Sequence, residues 1–326
     1  MPAKPLKGLT VVDLSRLIPG PFCSLILSDL GARVIKVEDT RRPDYLREIL
    51  PLFDALNRQK KIITVDFKSK EGGDTLKSLV KKADVLIESF RPGVLAKMGL
   101  SPAGLLKINR KLVVASITGF GQKGPNRNRA GHDLNYLSMA GLLNAEMPPV
   151  QYADLVGGGL FAALSIVSAL VRRGKQGKGG LIDISMTDSM IFLNLAGLMM
   201  AQSGVKENIL SGILARYRIY ETSDQKRVVL AALEDKFWNP FCDFIGKPEW
   251  KTQGYPDAAP GVHEQLAAIF KSGTRDEWTA LGERNDFCLT PVLSPGEVLE
   301  SAQFKERKNF VRKGGMILPK MPIKLE

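Results

Sequence analysis

Leu9-Thr10-Val11-Val12-Asp13-Leu14, then Pro21 to Leu30, then Arg33-Val34-Ile35-Lys36-Val37: these three consecutive stretches near the amino terminus decide the fold. The first is short and apolar and reads as a buried strand. The second reads as a helix, with proline near its start and Gly31 placed as its C-cap. The third is a second strand. Outward from this unit the alternation continues. Ile62 to Phe67 predicts a strand, Ser69 to Lys82 has helical spacing, and Asp84-Val85-Leu86-Ile87-Glu88 is again strand-like. Lys111 to Ile117 predicts a further strand, ending in the loop Gly119-Phe120-Gly121-Gln122-Lys123-Gly124-Pro125. Strands alternating with helices imply βαβ units and an α/β fold with a mainly parallel sheet. Residues 157–173 predict a long apolar helix entered through Gly157-Gly158-Gly159, followed by a strand at Leu181 to Ser185 and an apolar helix from Met186 to Met200. The pattern weakens from Ser203 to Gly212. Beyond it, Arg216 to Glu221 and Arg227 to Ala232 read as hairpin strands joined by Ser223-Asp224-Gln225, with helices near 261–271 and 274–283. The expected organisation is a large domain over 1–185, a connection over 186–215 and a small α+β domain over 216–299.

Composition narrows the class. Forty-six Lys and Arg against 34 Asp and Glu leave +12 on 326 residues, of which 44% are hydrophobic. At about 150 residues per domain this is a chain of about two globular domains, which excludes disorder, collagen and coiled coil as its main character. Three scattered cysteines, Cys23, Cys242 and Cys288, form neither a CxxC pair nor an even disulfide framework, as expected in a reducing compartment. The amino terminus lacks the apolar run of a signal peptide. The stretch Met190 to Ala201 is too short to span a bilayer and is interrupted by Asn194. The chain therefore reads as soluble and cytoplasmic, with no membrane insertion. Its basic excess, including seven Lys or Arg against one Glu from Lys305 to Lys324, attracts anions of any kind. No helix-turn-helix or aromatic-basic platform points to nucleic acid.

The loop after the first strand, Ser15-Arg16-Leu17-Ile18-Pro19-Gly20-Pro21, lacks the G-x-G-x-x-G spacing, and no G-x-x-x-x-G-K-S/T is present. A dinucleotide or ATP site of the usual kind is therefore not expected. With only His132 and His263, a metal centre of clustered His and Cys cannot be assembled. His263, at a helix start in the small unit, reads as a solvated surface residue. His132 stands in Gly131-His132-Asp133-Leu134-Asn135-Tyr136, where a basic loop meets a helix. It is either a cap or a base beside an anion held at the helix start. Asp154, in Gln151-Tyr152-Ala153-Asp154-Leu155-Val156-Gly157-Gly158-Gly159, is either an N-cap or a base or nucleophile. In the second case the glycines let a ligand approach the backbone, and unpaired helix N–H groups stabilise an oxyanion.

The order of several motifs resembles the family III CoA-transferases (the CaiB/BaiF family), and within it the α-methylacyl-CoA racemase branch. The likeness runs from Leu6 to about Glu297. It is carried by Asp13-Leu14 with Pro19-Gly20-Pro21-Phe22, Leu30-Gly31-Ala32-Arg33-Val34-Ile35-Lys36-Val37-Glu38 and Asp84-Val85-Leu86-Ile87-Glu88-Ser89-Phe90-Arg91-Pro92-Gly93-Val94. Thr118-Gly119-Phe120-Gly121-Gln122, Gly131-His132-Asp133-Leu134-Asn135-Tyr136, Gly177-Lys178-Gly179 and Leu233-Glu234-Asp235-Lys236-Phe237-Trp238 complete it.

The resemblance implies an interlocked homodimer. In each chain a large Rossmann-like domain, to which the segment 300–326 returns, faces a small domain across an acyl-CoA site. Coenzyme A enters as part of the substrate, with no separate cofactor. By motif, Val65, Asp66, Phe67 and Lys68, then Ser89, Phe90, Arg91 and Lys97, lie along the CoA moiety. Gly131, Asp133, Leu134, Asn135 and Tyr136 complete its wall. Arg and Lys among these suit phosphate charges. Asp154 resembles the transferase nucleophile and equally one of the two racemase acid/base groups, whose partner is the histidine of Gly-His-Asp, here His132. Glu234 resembles the residue that orients that histidine. Transferases often carry a glycine run where this chain has Ile209-Leu210-Ser211-Gly212-Ile213-Leu214, so the racemase is favoured over the transferase. The chain departs from the family in three places. Asp39 stands where an arginine is usual, leaving Arg41 or Arg42 to substitute. Leu214-Ala215-Arg216 replaces Gly-Gly-x-Pro, and the segment before Asp154, Glu146-Met147-Pro148-Pro149, is shorter than is common in the racemases. Arg216 and Arg218 suggest a more polar acyl group.

Overall fold

The computed structural model describes residues 4–143, 147–204, 209–251 and 261–323. Glu146, Lys324 and residues 205–208 of the weakly patterned connection fall outside these. Six parallel strands form one sheet: β1 (Thr10–Asp13), β2 (Arg33–Asp39), β3 (Lys61–Val65), β4 (Val85–Glu88), β5 (Val113–Thr118) and β6 (Gly180–Ser185). Their spatial order is β3-β2-β1-β4-β5-β6. Val11 stands beside Val34 of β2 on one side and Val85 of β4 on the other. The order reverses at β1 and β4, and in such sheets ligands bind outside the carboxyl ends of the strands at that point.

The strands are apolar along most of their length because helices cover both sheet faces. On one face Val11, Val34, Val85, Ile87 and Ala115 pack with Leu27 of the helix Pro19–Asp29 and Ile166 of the helix Phe161–Gln176. On the other, Val12, Ile35, Leu86 and Val114 meet Leu76 and Val80 of the helix Lys70–Lys82. Pro19 and Pro21 sit in the first turn of helix 19–29, where no intrahelical N–H is lost. Gly31, at φ 106°, ends that helix, and the Ala32 N–H returns to the Leu27 carbonyl at 3.0 Å.

Helix 161–176 is preceded by a π-helical turn, Ala153–Leu160, so the helical backbone starts before the three glycines rather than at them. Helical backbone thus continues for 24 residues from Ala153 to Gln176, apolar and long enough to cross a membrane by length and composition. Ala162, Ala163, Ile166 and Ala169 bury one face of it in the sheet core. The apolar stretch after β6 breaks into two helices, Met186–Leu193 and Leu195–Gln202. Between them Asn194 donates its side-chain amide to the Ala140 carbonyl at 2.8 Å.

The chain forms two compact units, Met1–Leu195 with Lys320–Glu326, and Ala196–Pro319. Helix 186–193 belongs to the first because Met186 and Met190 are buried in its core. Residues 300–319, expected to return to the large domain, belong instead to the second unit. There β7 (Tyr217–Glu221), β8 (Arg227–Ala231) and β9 (Leu289–Pro291) form an antiparallel sheet over an aromatic core of Tyr220, Trp238, Phe241, Phe270 and Trp278. Strands β10 (Phe310–Lys313) and β11 (Met316–Pro319) make a separate hairpin.

The glycines of the π-helical turn face protein, not a ligand. A Cβ on Gly158 would stand 2.6 Å from Pro19 Cβ, and one on Gly159 would stand 2.6 Å from Phe22 Cδ1. Gly158→Ala is expected to lower unfolding stability by about 1–3 kcal/mol, measured by urea denaturation. A loss under about 0.5 kcal/mol would show that this contact yields freely.

Candidate active site

Loops from the carboxyl ends of β1, β4 and β5 enclose a cleft of about 750 Å³ in the first unit. Among the described residues five arginines line it: Arg16, Arg42, Arg91, Arg127 and Arg129. His132 and Asp154 line the same cleft. A second cleft of about 380 Å³ shares Arg16, Arg42 and Phe90 with the first and adds Asp39, Arg41, Phe67 and Lys68. The two are therefore continuous along a strongly cationic wall, suited to an elongated polyanion.

His132 is the N-cap residue of the helix Asp133–Met139, and its backbone N–H donates to Asn135 Oδ1 at 3.0 Å. Asp133, the next residue, turns inward. Its Oδ1 accepts the Asp154 backbone N–H at 2.9 Å, and the carboxylate also accepts from Ala153. This bond ties the histidine's helix to the π-helical turn that carries Asp154. It also corrects two expectations. Asp133 supports the site from behind instead of lining the CoA wall, and these two N–H groups are already engaged, so neither is open to a substrate oxyanion.

Tyr136 packs under the same residues, its hydroxyl donating to the Gly131 carbonyl and its ring 5.3 Å from that of Phe120. Gly119 and Gly131 leave room for that ring, which a Cβ at either position would strike. Burial, with the Asp154 charge as a lesser cause, pushes the Tyr136 phenol up to about 12.

The residues expected along the CoA moiety separate into groups. Ser89, Phe90, Arg91, Gly131, Asn135 and Tyr136 line the first cleft. Arg41, Phe67, Lys68 and again Phe90 line the second. Asp66 pairs with Arg41 at 2.6 Å and accepts the Lys68 N–H, shaping the second cleft's rim. Val65 is buried in the sheet core, while Lys97, exposed on a short helix, and Leu134 line neither cleft. Glu234 is the N-cap residue of the helix Asp235–Phe244 in the second unit. In that unit Arg216 does not add exposed charge. Its side chain is 2% accessible, 4.8 Å over the Trp238 ring and paired with Asp235 at 3.4 Å.

Arg16, Arg127 and Arg129 were not singled out by the sequence reading. The available signal for Arg16 was its place just past the first strand, where a parallel sheet delivers ligand-contacting residues.

Burial, and secondarily the charge of Asp133, push the Asp154 carboxyl up to about 7. A carboxyl that binds its proton more tightly when folded than when unfolded destabilises the fold as pH rises through the interval between the two values. The penalty is absent in acid, where both states are protonated, and complete above about 7. Asp154→Asn should therefore gain thermal stability relative to the wild type between about pH 5 and about pH 8.5. A constant or shrinking difference in Tm would contradict the buried, proton-retaining carboxyl.

Residues 6–325 match the family described as CoA-transferase family III. The human alpha-methylacyl-CoA racemase is 35% identical over 321 residues, covering 94% of this chain and 82% of that protein. The acetyl-CoA:oxalate CoA-transferase of Acetobacter aceti is 31% identical, covering 99% and 90%. The crystal structure of a CAIB/BAIF family protein from Brucella suis superposes with a TM-score of 0.85 at 30% identity, covering 98% of this chain and 92% of that one. A six-stranded parallel sheet in the same fold, with sequence likeness across nearly the whole chain, places this protein in the CoA-transferase family III of enzymes acting on acyl-CoA thioesters.

Proposed function

We propose that this chain is an acyl-CoA racemase or epimerase that inverts the α-carbon of a 2-methylacyl-CoA by two-base proton transfer. The observation carrying this reading is that the His132 imidazole and the Asp154 carboxyl, the latter pushed up to about 7 by burial, line one cleft. One group removes the α-proton, leaving its electron pair delocalised onto the thioester oxygen as an enolate. The other delivers a proton to the opposite face, and the roles reverse with the handedness of the substrate. No electrons change hands, so the balance calls for no redox cofactor. The nucleotide end of CoA occupies the second cleft, against Arg41 and Lys68, and the pantetheine passes Phe90 into the first. A second copy of the chain covers the exposed apolar side chains Leu164, Val171 and Phe192, giving a homodimer that light scattering would detect.

A second reading is supported by the similar identity of CoA-transferases such as the Acetobacter protein. In it the Asp154 carboxylate attacks the thioester, expelling CoA thiolate and forming an acyl-aspartyl anhydride. Thiolate attack on the Asp154 carbonyl then releases the carboxylic acid and leaves an aspartyl-CoA thioester. Incubating the protein with one configuration of a 2-methylacyl-CoA in heavy water separates the two. The racemase incorporates deuterium at the α-carbon with loss of configuration. In His132→Ala this falls by about 10² to 10⁴-fold while CoA binding stays within about twofold. Absence of exchange, with CoA passing to an added carboxylate and a mass adduct on Asp154, would establish the transferase.

A further inference from the structure

Between β1 and helix 19–29 the loop Ser15–Ile18 adopts a conformation that its sequence does not favour. Leu17 has φ 63°, in the left-handed region that a leucine rarely enters. Such strain persists only where the surroundings over-determine it. Here two buried charges do so. The Leu17 N–H donates to Asp44 Oδ1 at 2.9 Å, and Asp44 Oδ2 is paired with Lys36 Nζ at 2.9 Å, both side chains 0% accessible. Lys36 Nζ also donates to the Ser15 carbonyl at 2.9 Å. From the β1 side, the Ser15 N–H donates to Asp13 Oδ1 at 2.9 Å, and from β4 the Ser89 hydroxyl accepts the Arg16 N–H at 3.2 Å. The Ser15 N–H, Ser15 carbonyl, Arg16 N–H and Leu17 N–H are thus each held by a different side chain.

The residue this presents is Arg16. It borders both clefts, its guanidinium lies 5.7 Å over the Phe90 ring, and among the described residues it has no carboxylate partner. We propose that Lys36 and Asp44 form a buried clamp that holds the Ser15–Leu17 loop in its strained form and so fixes Arg16, at the junction of the clefts, against the phosphates of the CoA chain. Arg16 is the binding residue; Lys36 and Asp44 are positioning residues that act through it. A desolvated ion pair is a weak source of stability, because the loss of hydration offsets most of the attraction. Its bonds to Ser15 and Leu17 hold the loop, while Asp44 Oδ1 also accepts the Leu46 N–H at 3.1 Å. The clamp rests on the acyl-CoA reading above.

The test measures coenzyme A affinity by calorimetry for the wild type, Arg16→Gln, Asp44→Ala and the combination. Loss of one charge-assisted contact is expected to weaken binding by about tenfold in either single variant. If the clamp acts through Arg16, adding Asp44→Ala to Arg16→Gln costs no more than about twofold further. Leu17→Gly should recover part of the affinity lost in Asp44→Ala, because glycine enters the left-handed region unaided. Should Asp44→Ala fail to fold, the doubly neutral Lys36→Met/Asp44→Leu leaves no unpaired charge and serves in its place. Losses that multiply independently, with no recovery by Leu17→Gly, overturn the clamp while leaving the CoA site standing. Wild-type protein that takes up no coenzyme A overturns the reading beneath it, and the clamp with it.

Discussion

The cleft depends on how closely the π-helical turn approaches its neighbours. Gly157, Gly158 and Gly159 lie against Met186, Pro19 and Phe22 with no space for a side chain. That contact sets Asp154 at a fixed depth beside the loops from β1 and β5. The Asp133 carboxylate then pins the turn from the opposite side through the Asp154 backbone. A carboxyl placed in this way is half-buried and next to another acid, and both factors favour its protonated form. The electrostatics of the candidate acid/base group therefore follow from a packing constraint among residues that do no chemistry.

Beneath the switch point lies a set of charges shielded from solvent. Burial alone would raise the Asp13 carboxyl. Lys36 and Lys60 beside it, with the Ser15 and Ser24 hydroxyls, overcome this and hold it below the usual carboxylate range. Lys60 gives way in the other direction, burial pushing its amine down to about 8 despite Asp13. It is retained by the Pro21 carbonyl at 2.8 Å and Asn57 Oδ1 at 2.9 Å. An apolar core could fill that volume, but it would supply no directional bonds to the loop entering helix 19–29. Buried charges hold a backbone in one orientation because an unsatisfied partner is so costly.

The same geometry bears on why one family accommodates two reactions. A carboxyl whose proton is in balance near neutrality can, once ionised, either take a proton from carbon or attack a carbonyl, and in its protonated form return a proton. The cationic wall made by Arg16, Arg42, Arg91 and Lys68 suits the anionic part of an acyl-CoA whichever reaction follows. The fold is thus shared between racemases and transferases of the family.

Much of this was legible in the sequence. The alternation of apolar strands with helices determined a parallel α/β sheet, because strand and helix periodicities are local properties of five to fifteen residues. The hairpin at Tyr217–Ala231 was read from Ser223-Asp224-Gln225, and Gln225 sits at φ 59° in that turn. His132, Asp154, Phe90 and Arg91 came from their motifs and line one cleft. Other features belonged to tertiary structure alone. The Asp133–Asp154 bond spans 21 positions, the Leu17–Asp44 bond 27 and the Arg16–Ser89 bond 73. No local pattern announces such partners, because what joins them is the order in which the strands pair. For the same reason three glycines that read as an opening for a ligand proved to be the surface on which two helical segments meet, and Arg216, read as charge suited to a more polar acyl group, proved to be stacked inside a core. Residue chemistry and local periodicity were fixed by the chain; which groups face substrate and which face protein was decided by packing across the sheet.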